Sequence, residues 1–133
     1  MKKLAAFALV VPALAFAGVA SAAPSPLRGV WQTTVSSPVP ALRGTWLISF
    51  APNGGYAVVK EPDTKALMVG GTSTVAGSTL TMTDKEGPAS GPGSTARARY
   101  AFRITGKILK LTKISEPCTG RSIILAGTLT RVG

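Results

Sequence analysis

Residues 97 to 114 alternate between apolar and polar side chains, and this pattern constrains the fold more than any other part of the sequence. The alternation is interrupted once, at Thr105-Gly106, and then resumes. Strict alternation is typical of strands that have one buried face and one exposed face. The apolar positions are Tyr100, Phe102, Ile104, Leu109 and Leu111.

A glycine beside a polar residue between two alternating runs predicts a β-hairpin. With Thr105-Gly106 as the loop, apolar residues face apolar residues and polar residues face polar ones. A slip of one residue would reverse every side chain and destroy this agreement. The predicted pairs are Ile104 with Lys107, Phe102 with Leu109, and Tyr100 with Leu111.

The rest of the chain consists of short alternating runs separated by turn residues. Pro52-Asn53-Gly54-Gly55 is one such turn, and residues 121–132 are expected to form the last strand, with Ile123 and Leu125 on its inner face. Beyond residue 22 no segment has helical periodicity over three turns. About eight or nine short, sequential strands predict an all-β chain that forms an antiparallel up-and-down barrel of about eight strands.

The first 22 residues have the features of a secretory signal peptide. Lys2 and Lys3 precede an apolar stretch, and Ala20-Ser21-Ala22 offers a small-residue cleavage site. No cysteine lies near that site, so a lipid anchor is not expected. We therefore expect residues 23–133 to form a single domain that is secreted or periplasmic and does not span a membrane.

The chain is strongly basic and carries one cysteine. Its formal charge is +10, and loss of Lys2 and Lys3 with the signal peptide would leave +8 (10 − 2). This charge favours either contact with anionic surfaces or simple solubility. Cys118 has no partner in the chain, so it is a buried thiol, an intermolecular link, or the remnant of a lost pair.

The composition excludes the commonest catalytic arrangements. The chain contains no histidine, which rules out Ser-His-Asp and Cys-His catalysis and removes the commonest metal ligand. The acid pairs Glu61/Asp63 and Asp84/Glu86 fall at predicted turns, where carboxylates are normally solvated. No catalytic residue, metal or cofactor is therefore expected, and we expect a protein that is not an enzyme.

Several short motifs, in order, resemble a known family. They are Gly44-Thr45-Trp46, residues 71–84, the Tyr100 hairpin, and the loop from Glu116 through Cys118 to Arg121. Together they resemble the small exported lipocalin-like β-barrel proteins of bacteria, which belong to the calycin group. The resemblance implies that Trp31 or Trp46 packs at one end of the barrel, with Arg121 lying across its ring.

Two features depart from that family. Its members often carry a second cysteine before the hairpin, where this chain has Gly91, so Cys118 would lack the partner that the resemblance implies. The acid of the cysteine loop is Glu116 rather than the usual aspartate, and Pro117 follows it.

Two sets of candidate binding residues follow from the two faces of the strands. The inner face either fills the barrel or borders a small cavity for an apolar or amphipathic ligand. The outer face of the hairpin forms a basic stripe. The candidate ligand-binding residues are Trp46, Phe50, Tyr56, Met82, Tyr100, Phe102 and Leu111, and those of the basic face are Arg97, Arg99, Arg103 and Lys110.

These observations predict an exported, non-enzymatic, lipocalin-like protein that binds a small apolar or amphipathic ligand or a protein partner in the envelope. The alternatives are a basic interaction protein that docks on anionic envelope material, and a small-barrel protease inhibitor. Nucleic acid is not an expected partner, because the aromatic side chains needed for base stacking alternate to the inner face.

Overall fold

The computed structural model of this protein describes residues 25–88 and 97–133. The predicted signal peptide, residues 1–22, and Gly91 lie outside the described residues. No helix in the described part of the chain combines the length and the apolar character needed to cross a membrane.

Eight antiparallel strands form a closed barrel in sequence order, which confirms the predicted all-β, up-and-down architecture. Each strand pairs with the next along the chain, and the last pairs with the first. The strands are β1 (Gly29–Val35), β2 (Gly44–Phe50), β3 (Gly55–Lys60), β4 (Val69–Ala76), β5 (Thr79–Glu86), β6 (Arg97–Thr105), β7 (Ile108–Ser115) and β8 (Gly127–Arg131).

The barrel interior is filled largely by the inward side chains of these strands. Buried and half-buried or exposed positions alternate in β2, β3 and β5, as expected for strands with one buried face. The largest fully buried apolar side chains are Trp31, Trp46, Tyr100, Leu27, Ile48, Leu80, Met82, Leu109 and Leu129.

The β6–β7 hairpin exists, but its register differs by two residues from the predicted one. Ile104 pairs with Leu109 and Phe102 with Leu111, so the loop is Gly106-Lys107. Gly106 has φ 60°, a backbone conformation that is unfavourable for a β-branched residue such as Thr105. Because the shift is an even number, the inner and outer faces are those predicted.

The segment after Cys118 is a helix where a strand was predicted. Helix α1 (Thr119–Leu125) precedes the much shorter last strand β8. Its buried residues are Arg121, Ile124 and Leu125, a spacing of three and four that belongs to a helix. Ile123, which was predicted to face inward, is 39% exposed.

A short motif, Leu-Arg-Gly-x-Trp, occurs twice, and in each copy the leucine carbonyl accepts a hydrogen bond from the tryptophan indole. Trp31 Nε1 donates to the carbonyl of Leu27 at 2.8 Å, and Trp46 Nε1 donates to that of Leu42 at 2.9 Å. The glycine of each motif has a positive φ, 126° and 130°. Both indoles are buried, so each needs the partner that its own motif provides.

A cation lies over each of the two indole rings, and neither cation comes from Arg121. The Arg131 guanidinium lies 4.2 Å from the Trp31 ring centroid, and Lys60 Nζ lies 5.4 Å from that of Trp46. Arg131 also donates to the carbonyls of Arg28 and Pro26, which ties the N-terminal lead across that end of the barrel. Arg131, and not Arg121 as the resemblance implied, therefore lies across the Trp31 ring.

Gly71 lets the backbones of β4 and β5 meet closely at an irregularity in the sheet. It pairs with both Tyr56 and Asp84, and the register shifts between Gly70 and Gly71. A Cβ atom at Gly71 would overlap the carbonyl oxygen of Thr83 and lie 2.9 Å from Tyr56 Oη. The absence of a side chain here makes room for the tyrosine hydroxyl.

Replacing Gly71 by alanine should destabilise the protein by about 1–3 kcal/mol or more, because backbone atoms must move to admit the methyl group. Gly70→Ala is the matched control, since a Cβ at Gly70 would meet the movable side chains of Leu67 and Glu86. Urea denaturation of both variants measures the difference. Equal stabilities of the two variants would contradict this account.

Candidate functional site

Helix α1 covers one end of the barrel and directs a charged side chain inward. It lies between β7 and β8, and three of its seven residues are buried. One of these is Arg121, only 7% exposed. A buried guanidinium is costly unless it is paired and hydrogen-bonded, so its partners decide whether the arrangement is stable.

Arg121 is bound by two carboxylates, one from β5 and one from the loop after β7. Its Nη1 lies 2.9 Å from Asp84 Oδ1, and its Nη2 lies 2.7 Å from Glu116 Oε1. Nε of the same side chain donates to both oxygens of Glu116, at 3.0 and 2.8 Å. Both carboxylate side chains are almost fully buried. These are charge-assisted, multidentate contacts of the strong class.

Each carboxylate also accepts a hydrogen bond from a tyrosine on the barrel wall. Tyr56, on β3, donates through its hydroxyl to Asp84. Tyr100, on β6, donates to Glu116 Oε2 at 2.5 Å. These five side chains, which we call the buried polar network, connect β3, β5, β6 and the loop after β7 to α1 through Arg121.

The backbone contributes one more contact to the network. The Cys118 N–H donates to Glu116 Oε1 at 3.0 Å, two residues along the chain. This bond holds the loop in the conformation that leads into α1. Cys118 itself is a free thiol of intermediate exposure.

Burial and the neighbouring carboxylates shift the pKa values of the two tyrosines and of Arg121. Burial, followed by the hydrogen bond to Asp84, raises the pKa of Tyr56 well above its usual value. Burial and the hydrogen bond to Glu116 raise the pKa of Tyr100 in the same way. Burial alone would lower the pKa of Arg121, but the bond to Glu116 and the charges of both carboxylates outweigh it and raise that pKa.

A small cavity of about 70 Å³ lies between α1 and the barrel wall. Its walls are mainly apolar, and its polar side is formed by part of the buried polar network. The lining residues are Leu42, Tyr56, Val58, Val69, Met82, Asp84, Cys118, Gly120, Arg121, Ile124 and Leu125.

The structure divides the predicted ligand-binding residues into three groups. Tyr56 and Met82 line the cavity. Phe102 is half-buried and borders a groove on the outer surface. The others are buried in the barrel core, outside the cavity wall: Trp46, Phe50, Tyr100 and Leu111.

The predicted basic face is an exposed surface of β6 and β7. All four of its cations, Arg97, Arg99, Arg103 and Lys110, are exposed. A groove of about 290 Å³ lies beside two of them, lined by Ala101, Phe102, Arg103, Lys110 and Thr112.

The buried polar network was not predicted from the sequence, because Asp84 was placed at a solvated turn and Arg121 was placed over a tryptophan ring. Asp84 is instead fully buried on β5, and the side chain of Glu116 is buried beside α1. One signal was present: Asp84 continues the inward alternation of Leu80 and Met82. An acid at an inward position requires a buried cation or donor, and Arg121 is the residue that meets it.

Comparisons with known proteins assign no family to this chain: neither the protein-family models nor the curated proteins contain a match. Among the described residues, no group of three or more histidine, cysteine, aspartate or glutamate side chains is placed to hold a metal ion.

Replacing Arg121 by glutamine should lower the free energy of unfolding by about 3–5 kcal/mol, because two buried carboxylates lose their shared cation. Arg99→Gln removes the same charge from an exposed position and should change stability by less than about 0.5 kcal/mol. Chemical denaturation of both variants provides the test. An Arg121 variant as stable as the Arg99 variant would show that the network does not support the fold.

Raising the pH should destabilise the same network through the ionisation of its two tyrosines. A tyrosine whose folded-state pKa is raised contributes stability that is complete below the unfolded pKa, about 10, and is lost as pH rises further. Tyr56 and Tyr100 are the only two tyrosines in the chain, so the tyrosinate absorbance reports on them alone. We expect this absorbance and the loss of circular dichroism to rise together above pH 10. Tyrosinate that forms near pH 10 in a protein that is still folded would contradict the burial of these hydroxyls.

Proposed function

We propose that this protein is an exported, non-enzymatic, lipocalin-like barrel that binds a small apolar or amphipathic ligand at the end covered by α1. The cavity between α1 and the barrel wall is the observation that carries this proposal. It combines apolar walls with a polar side formed by Arg121, Asp84 and Tyr56. A few polar groups in an apolar pocket are typical of small-molecule sites.

Two features support the lipocalin-like part of the proposal. The barrel is closed, antiparallel and up-and-down, with eight strands. Arg131, on the last strand, lies over Trp31 of the first, so an arginine covers a tryptophan as the resemblance implies, although the resemblance gave that position to Arg121. Export rests on the N-terminal sequence alone.

The size of the cavity limits the ligand. Pockets for drug-sized molecules measure about 300–1,000 Å³, and this one measures about 70 Å³. It holds a few heavy atoms, such as the end of an alkyl chain or a small amphipathic molecule. A larger ligand enters only if α1, which has three buried side chains, moves away from the barrel end.

The state of the carboxylates supports a role without catalysis. Carboxylate catalysis needs two acids that face a substrate cleft, one to donate a proton and one to attack or activate water. Asp84 and Glu116 instead bind the same guanidinium, and each accepts a tyrosine hydroxyl. These contacts serve the fold rather than a substrate.

A series of straight-chain alcohols of increasing length tests the cavity directly. Short members should raise the melting temperature of the protein, and the effect should cease once the chain outgrows the cavity. Val69 lies in the cavity wall, so Val69→Phe should fill the cavity with a larger side chain and abolish the response. Ile104→Phe is the matched control, because Ile104 packs against the core away from the cavity.

Native mass spectrometry of the protein purified from its own host complements the melting series and identifies a resident ligand by its mass. The proposal fails if no alcohol stabilises the protein and the native sample shows only the mass of the chain. It also fails if the two phenylalanine variants respond alike.

A further inference from the structure

No acidic residue lies on β6 or β7, which carry the basic face, and one exposed acid, Glu86, ends the neighbouring strand β5. Residues 97–115 contain no acidic residue. Of the five acids in the chain, Asp84 and Glu116 are buried against Arg121. The others are exposed, and none of them lies on β6, β7 or β8: Glu61, Asp63 and Glu86. Internal pairing therefore makes the surface more basic than the composition indicates.

The cations of the basic face are not used by the fold. Among the described residues, none of the four forms a side-chain hydrogen bond or an ion pair. Two surface cations outside the face do form such contacts, whereas three others form none with the described residues: Arg28, Lys65 and Lys85. Arg43 donates to the carbonyls of Ser37 and Pro38, and Lys60 donates to that of Ala41.

Two of these cations oppose each other at a cost to the sheet. Arg103 and Lys110 are directly paired across β6 and β7, and like charges at such positions are destabilising. The groove of about 290 Å³ lies beside this pair. An anionic group bound there would relieve the repulsion and would be held by two cations at once.

Threonine hydroxyls surround the cations on the neighbouring strands. Arg99 pairs with Thr81 and Arg97 with Thr83 on one side, and Lys110 pairs with Thr128 on the other. Adjacent strands are about 4.8 Å apart, and outward residues along one strand are about 6.7 Å apart. The result is a grid in which the cations can donate to an oxygen-rich ligand and the hydroxyls can both donate to it and accept from it.

We propose that the basic face binds an acidic polysaccharide, whose acidic groups contact the cations and whose sugar hydroxyls contact the threonines. Charge complementarity carries this choice. A single-stranded nucleic acid would require several exposed aromatic side chains for stacking, whereas Tyr100 is buried and the groove offers one half-buried ring, that of Phe102. A contact that inserts into a membrane would add a continuous apolar patch to the cations. The exposed Ile108 and Ile114 lie instead at opposite ends of β7.

Binding to alginate, measured by calorimetry over a range of salt concentrations, tests this inference. Arg103→Gln combined with Lys110→Gln should weaken binding and reduce the slope of log K against log salt by about two, one for each cation removed from the face. The same variant should be at least as stable as the parent, since it removes a repulsive pair.

The matched control is Arg28→Gln combined with Lys65→Gln, which removes the same charge from exposed positions away from the face. It should bind alginate as the parent does. An equal loss in both variants would show attraction by net charge alone and would overturn the proposal. So would the absence of alginate binding, or tighter binding to duplex DNA or to phosphatidylglycerol vesicles than to alginate.

Discussion

The contact of Arg121 with Asp84 and Glu116 is the interaction on which the closed end of this barrel depends. Taking one cation and two carboxylates out of water costs several kcal/mol per ion unless geometry and hydrogen bonding are excellent. Here the guanidinium makes multidentate contacts, and the tyrosine hydroxyls donate to the two acids. One cation faces two carboxylates, so one negative charge is left without a cation. The two tyrosine hydroxyls partly compensate that charge, because each points the positive end of its O–H dipole at a carboxylate.

This network also explains local features of the backbone that seem unrelated in the sequence. Gly71 leaves room beside β5 for the Tyr56 hydroxyl. The Cys118 N–H binds Glu116 and so turns the chain into α1. The helix is too short to be stable by itself, so its three buried side chains, including Arg121, hold it against the barrel. The end of the barrel is therefore specified by polar contacts, whereas its wall is specified by apolar alternation.

That division sets what could be predicted from the sequence. Strand alternation predicted the barrel and both faces of the hairpin, because period two is visible in single runs such as residues 97–114. The hairpin register was wrong by two residues, since alternation does not distinguish registers that differ by an even number. Helix α1 was missed because Ile123 and Leu125 mimic a strand over seven residues. The network was missed because it joins residues far apart in the chain, such as Tyr56 and Asp84.

The basic residues of this chain serve two distinct physical purposes. Arg131 and Lys60 bind carbonyls and lie over buried indoles, and Arg121 compensates buried acids, so these charges belong to the fold. Arg103 and Lys110 oppose each other without a compensating acid among the described residues. A sheet built only for stability would place opposite charges or a neutral pair at such positions. The proposed binding of an anionic ligand beside this pair would relieve that repulsion.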